Sequence, residues 1–149
     1  VRASLAPLLL VAACGSSRPH VETEAEPEEG ETERGAIPDD VVGPPNVAWK
    51  DLDRTQRKRF MERVVVPTMK PLFAAFDGKR FADFGCATCH GHGHDFHMPN
   101  PELFALTPTV ETDQPAYFKF MTSEVRPEMA KLLGLSEADF PCTTCHPRK

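Results

Sequence analysis

The chain has 149 residues, 26% of them charged, with 15 prolines, one Trp and one Tyr. The net charge of −5 is unevenly spread: residues 21–40 hold nine acids and one base, whereas 41–149 hold 13 acids and 14 bases. With no basic surplus to attract a polyanion, no nucleic-acid partner is expected. The chain beyond the acidic stretch has the size of one small, loop-prone domain with only a modest core of its own.

In chain order, Arg2 precedes an apolar run from Leu5 to Ala13. This is the pattern of a secretory signal peptide over 1–13, and it is too short to span a bilayer as a mature helix. The run ends Val11-Ala12-Ala13-Cys14, which resembles the bacterial lipobox. The resemblance implies that Cys14 becomes the lipidated first residue of an exported chain, anchored to a membrane and facing the periplasm or the cell surface. Gly15 and Ser16 follow rather than Asp, which by the same resemblance favours the outer membrane. An ordinary signal peptide with an incidental Cys is the alternative. Residues 14–46 then read as an acidic tether. Almost nothing in it is apolar, so it cannot offset the entropy of ordering, and its glutamates would extend it.

Structure is expected from about residue 47 to 149. Asp51 or Asp53 can cap a helix, with Trp49 or Leu52 stapling its start. Phe60, Met61, Val64, Val65, Leu72, Phe73 and Phe76 recur at helical spacing, and Pro67 and Pro71 interrupt them. The expectation is two helices, or one that is kinked, with Pro67 opening the second. Arg54, Arg57, Lys58, Arg59 and Arg63 crowd the first helix, either as a solvated face or as a basic one that balances acidic groups.

Two matching runs organise the rest of the chain: Cys86-Ala87-Thr88-Cys89-His90 and Cys142-Thr143-Thr144-Cys145-His146. Each reads C-x-x-C-H, the attachment pattern of c-type haem. Two thiols on one helical turn can each form a thioether to a vinyl group, and the adjacent His can offer its imidazole to the iron. Two haem c groups are therefore expected, held by Cys86, Cys89, Cys142 and Cys145, with His90 and His146 as proximal ligands. The competing reading is a zinc site of paired C-x-x-C knuckles, but zinc has no need of a His directly after each second Cys. With Cys14 accounted for, none of the five cysteines remains for a disulfide. Without its haems the domain is expected to fold poorly.

The chain also repeats itself. Arg59-Phe60-Met61 matches Lys119-Phe120-Met121, Val65-x-Pro67-x-Met69 matches Val125-x-Pro127-x-Met129, and Leu72 matches Leu132. Ala82-Asp83-Phe84 before Cys86 matches Ala138-Asp139-Phe140 before Cys142. The offset falls from 60 in the helices to 56 at the motifs, which places four extra residues of the first copy within Asp77–Phe81. The repeats run over about 55–98 and 115–149, each a Met-bearing helix, a turn and a C-x-x-C-H helix.

In pattern, residues 55–146 resemble the multihaem cytochrome subunit of photosynthetic reaction centres, with two units here and not the usual four. The resemblance implies an all-α, loop-rich fold in which the Met of each repeat ligates the haem of that repeat. Carried over, the sixth ligands are Met69 and Met129. Met61 and Met121 are rivals, eight positions earlier and about 12 Å along a continuous helix, too far for both Met of a repeat to reach one iron. The loop after the first motif offers His92, His94, His97 and Met98, and Met98-Pro99 resembles the distal Met-Pro pair of many monohaem cytochromes. That loop has no counterpart after the second motif. Residues 99–118 read as an ordered connecting loop.

The expected function is single-electron transfer between other redox proteins through two haems, with no bond chemistry. The alternative is a haem enzyme or a gas or peroxide sensor. There one haem stays five-coordinate and a loop His such as His94 or His97 acts as acid and base.

Overall fold

Pro67 and Pro127 decide the form of the two main helices. A proline inside a helix has no N–H to donate, and its ring collides with the carbonyl four residues back. In this structure, a computed structural model that describes residues 37–149 apart from His94, both prolines are accommodated in the same way. α1 (Arg54–Phe60) passes into a π-helical turn (Met61–Val65) and then into α2 (Val66–Asp77). The short α3 (Cys86–His90) and the single turn α4 (Val110–Asp113) come next. The device then recurs, with α5 (Pro115–Phe120), a second π-turn (Met121–Val125) and α6 (Arg126–Leu132). Each π-turn closes one residue wide, Val66 N–H donating to the Met61 carbonyl and Arg126 N–H to that of Met121. The first run is thus one continuous helix with a bulge, not two helices. Among the described residues the only β-pairing is an isolated bridge between Leu106 and Arg148, and the fold is all-α.

The bulge resets which side chains share a face. Phe60, Val64, Met69 and Phe73 are all buried, and the step from Val64 to Met69 is five residues where the others are four. Eight α-helical residues would leave Met61 and Met69 about 80° apart, and one residue absorbed by the π-turn brings them within about 20°. The same holds for Met121 and Met129.

The core forms where the two bulged helices cross. α2 packs on the second π-turn and α6 on the first. Phe73 sits at the centre, its ring 4.7 Å from Phe84, 4.9 Å from Phe81 and 5.1 Å from Phe120, centroid to centroid. Phe76 stacks on Phe120 at 4.2 Å. Matching positions of the sequence repeat both belong to this core: Phe60 and Phe120, Phe73 and Leu133, Phe84 and Phe140.

Asp53 is the residue that caps α1. Its carboxylate accepts from Gln56 N–H at 2.8 Å while the Gln56 side chain accepts from Asp53 N–H at 2.9 Å, a reciprocal box that satisfies two donors the helix cannot. Trp49 lies edge-on to Phe60, with the Arg57 guanidinium 5.5 Å from its ring centroid. The ordered chain begins ahead of residue 47. Val41 is buried, Gly43 lies flat against the Phe60 ring where no Cβ would fit, and Pro44 packs on Gly134. The last part of the acidic stretch is therefore docked on the core. The expected signal peptide, Cys14 and the expected tether up to residue 36 lie outside the described residues.

Three further features correct or extend the expectations. The extra residues of the first copy do not lie in the turn after the helix; they lengthen the helix itself. α6 stops at Leu132, where Gly134 (φ +64°) forms a left-handed cap: Leu135 N–H reaches the Ala130 carbonyl at 2.8 Å and Gly134 N–H that of Lys131 at 3.0 Å, the Schellman arrangement. The first copy has Ala74 in place of that glycine, and α2 runs on to Asp77. Second, the basic face of α1 is largely solvated, and within it Arg57 donates to the Lys50 carbonyl, Arg59 to that of Asp40, Arg63 meets the Asp40 carboxylate and Lys58 meets Glu62. Third, the connecting segment 99–118 contains α4 and the first turn of α5.

Candidate functional site

The two C-x-x-C-H runs are built differently. The first forms α3, opened by Gly85, whose N–H donates to the Thr88 hydroxyl at 3.0 Å. It ends abruptly at Gly91 (φ +71°), where a Cβ would meet the Glu102 carboxyl at 2.8 Å and Asn100 Oδ1 at 3.0 Å. The second was expected to be a helix and is only a 3₁₀ turn (Cys142–Thr144), with His146 N–H reaching back to the Cys142 carbonyl at 3.0 Å. Pro141 and Pro147 flank it and prevent extension. Beyond it the chain pairs with the connecting loop, Leu106 N–H donating to the Pro147 carbonyl at 2.8 Å and Lys149 N–H to that of Leu106 at 3.2 Å.

The two runs are joined through one residue that the sequence did not single out. Asn100 is 2% exposed, the only buried polar residue among those described. Its backbone N–H donates to the Cys145 carbonyl at 2.9 Å, and its Nδ2 donates to the Cys89 carbonyl at 3.0 Å. Its Oδ1 accepts from Glu102 N–H at 2.9 Å. That last bond is a local Asx turn, legible from Asn100-Pro101. The other two reach 11 and 45 positions along the chain, and no local pattern announces them.

All four motif cysteines are free and half-buried. Burial pushes the Cys89 thiol up to about 12, with Cys145 and Cys86 close enough to add to the effect. Burial, then Cys142, pushes Cys145 up to about 11. Each histidine has its own setting. His146 Nδ1 lies 2.9 Å from the Phe104 carbonyl. A carbonyl only accepts, so Nδ1 carries a proton, and in the neutral ring Nε2 holds the lone pair. His90 is held below the usual imidazole value by burial, the Phe96 backbone opposing as a lesser influence, and its Nδ1 is buried without a hydrogen-bond partner. The Phe96 ring stands edge-on to His90 at 5.5 Å, whereas His146 meets Phe104, 51% exposed, through its backbone carbonyl.

The methionines fall in and around the core. Met69 is 2% exposed, and Met61, Met121 and Met129 pack at the core's edge, as does Cys145. Of the loop alternatives, His92 is engaged elsewhere: its Nδ1 lies 2.9 Å from Glu102, and its side chain is 87% exposed. That bond holds the Glu102 carboxyl below its ordinary range. His97 is exposed, Met98 is half-buried and His94 lies outside the described residues. Among the described residues no three His, Cys, Asp or Glu side chains converge on a point where a single ion would sit, and no helix is long and apolar enough to cross a membrane.

No protein-family model, curated protein or solved structure matches this chain.

Proposed function

We propose that the chain is a dihaem c-type cytochrome, exported, lipid-anchored at Cys14 and passing single electrons between other redox proteins. The observation that carries the reading is the setting of His146. Its Nδ1–H is committed to a backbone carbonyl, and its Nε2 is left as a donor to a metal directly after two thiols on one turn. A hydrogen-bond acceptor on the far ring nitrogen is how proteins orient and strengthen an imidazole ligand. The buried, unpaired ring nitrogen of His90 and the exposed Phe96 ring edge-on to it also fit a large planar group bound beside that histidine.

Cys86 and Cys89 would hold one haem and Cys142 and Cys145 the other, with His90 and His146 beneath. The group supplies one-electron chemistry between two iron oxidation states. The chain's part is to fix the rings, exclude water and set the potential. Met69 and Met129 remain the proposed sixth ligands. They lie on matching helices whose π-turns bring each into line with its rival eight residues earlier, and such turns often mark functional positions.

The test is an intact mass and a haemochrome spectrum of protein matured in a host that exports and attaches haem. Two covalently retained haems per chain support the proposal. Colourless protein, or colour extracted by acid and solvent, overturns it. Redox titration with near-infrared bands then identifies the axial pairs.

A further inference from the structure

We propose that Asn100 is a positioning residue that locks the two attachment motifs, and so the two haems, into one electronically coupled pair. The inference rests on the dihaem reading and goes beyond it: two haems in one small chain need not interact. Asn100 donates from its backbone to the carbonyl of Cys145 and from its side chain to the carbonyl of Cys89, the last thiol-bearing residue of each motif and the neighbour of each histidine. Both bonds end on backbone directly beside a proposed ligand, so they fix peptide planes and not mobile side chains. Its third bond, from Glu102 N–H, fixes the rotamer of the amide.

The environment is one in which the bonds hold. At 2% exposure no water competes for them, and breaking one would leave a buried carbonyl or amide unpaired. Gly91, directly after His90, allows this approach, since a Cβ there would lie 3.0 Å from Asn100 Oδ1. No other residue among those described bonds to both motifs. A shorter or non-donating side chain would keep the backbone bond to Cys145 and lose the one to Cys89, freeing the motifs to shift against each other.

The experiment is Soret-region circular dichroism on mature holo-protein, with haem per chain measured on the same samples. Two rings in close, fixed orientation give a bisignate couplet, and independent rings give a single-signed band. The wild type is expected to show the couplet. Asn100→Asp keeps the acceptor for Glu102 and removes the donor to Cys89. It should keep two haems per chain while the couplet falls at least twofold, and Asn100→Ser should behave alike. A wild type with two haems and a single-signed band overturns the inference, as does an undiminished couplet in either variant. A wild type with no attached haem instead overturns the dihaem reading itself, a separate and recognisable result.

Discussion

The four motif thiols and the two imidazoles are where residue chemistry makes the sharpest demands. If thioethers form, no thiol survives. Mature protein unfolded in guanidinium should show no reaction of Cys86, Cys89, Cys142 or Cys145 with a thiol-specific chromogen, whereas a zinc knuckle would release all four after chelation. The His92–Glu102 hydrogen bond gives a smaller, pH-dependent effect. The carboxyl of Glu102 is lowered in the folded chain by His92. Its stabilising share is therefore present above the unfolded carboxylate value and is lost as pH falls through the lowered one. Amide exchange at His92, whose N–H also meets Glu102 at 3.2 Å, should lose protection over that acidic range and keep it at neutral pH. The cysteine and histidine positions were readable because they recur at a fixed C-x-x-C-H spacing in two places. Asn100 was not, because its partners are close only after folding.

Among the elements, the bulged helices explain both what the periodicity foretold and what it missed. The apolar positions of residues 60–76 were legible as a helix, and the prolines as an interruption. What spacing alone does not reveal is that a widened turn lets the helix continue, since a five-residue step looks like a lost register until the bulge is known. The helix ends obey local chemistry more closely. Asp53→Ala removes the reciprocal cap of α1 and should cost about 1 kcal/mol. Gly134→Ala should cost about 1–2 kcal/mol, because the left-handed φ of +64° strains an L side chain and the new Cβ would stand 3.2 Å from that of Pro44. Both changes are measured by denaturant unfolding of the mature protein, with the midpoint lowered and the slope unchanged.

For the molecule as a whole, stability depends on a crossing of two helices and on the segment that covers it. Phe73 touches rings from both halves of the core, and Phe73→Ala should destabilise by about 3–5 kcal/mol, enough to leave a domain of this size partly unfolded at physiological temperature. The covering segment was hidden in the sequence by the acids that precede it: Val41, Gly43 and Pro44 are too few to outweigh the polar composition around them. Yet Val41 is buried in the core, Gly43 lies against Phe60, which is 1% exposed, and Pro44 packs on Gly134. A chain starting at Ile37 is the reference for this segment. One starting at Val47 should lose about 2–4 kcal/mol, as the apolar area now covered returns to water.

The unequal lengths of α2 and α6 have a genetic consequence. Two similar stretches in one gene invite unequal crossing-over, which would exchange one half for the other. The ring of Phe76 lies on the added turn of α2 and stacks on Phe120 at an angle of 2°, and the shorter helix has no counterpart to offer. A recombinant with two long helices would carry a second ring toward Phe60, the match of Phe120, where Gly43 already lies, and one with two short helices would take the stacked ring from Phe120. Each product alters a packed contact, so the two halves are not interchangeable.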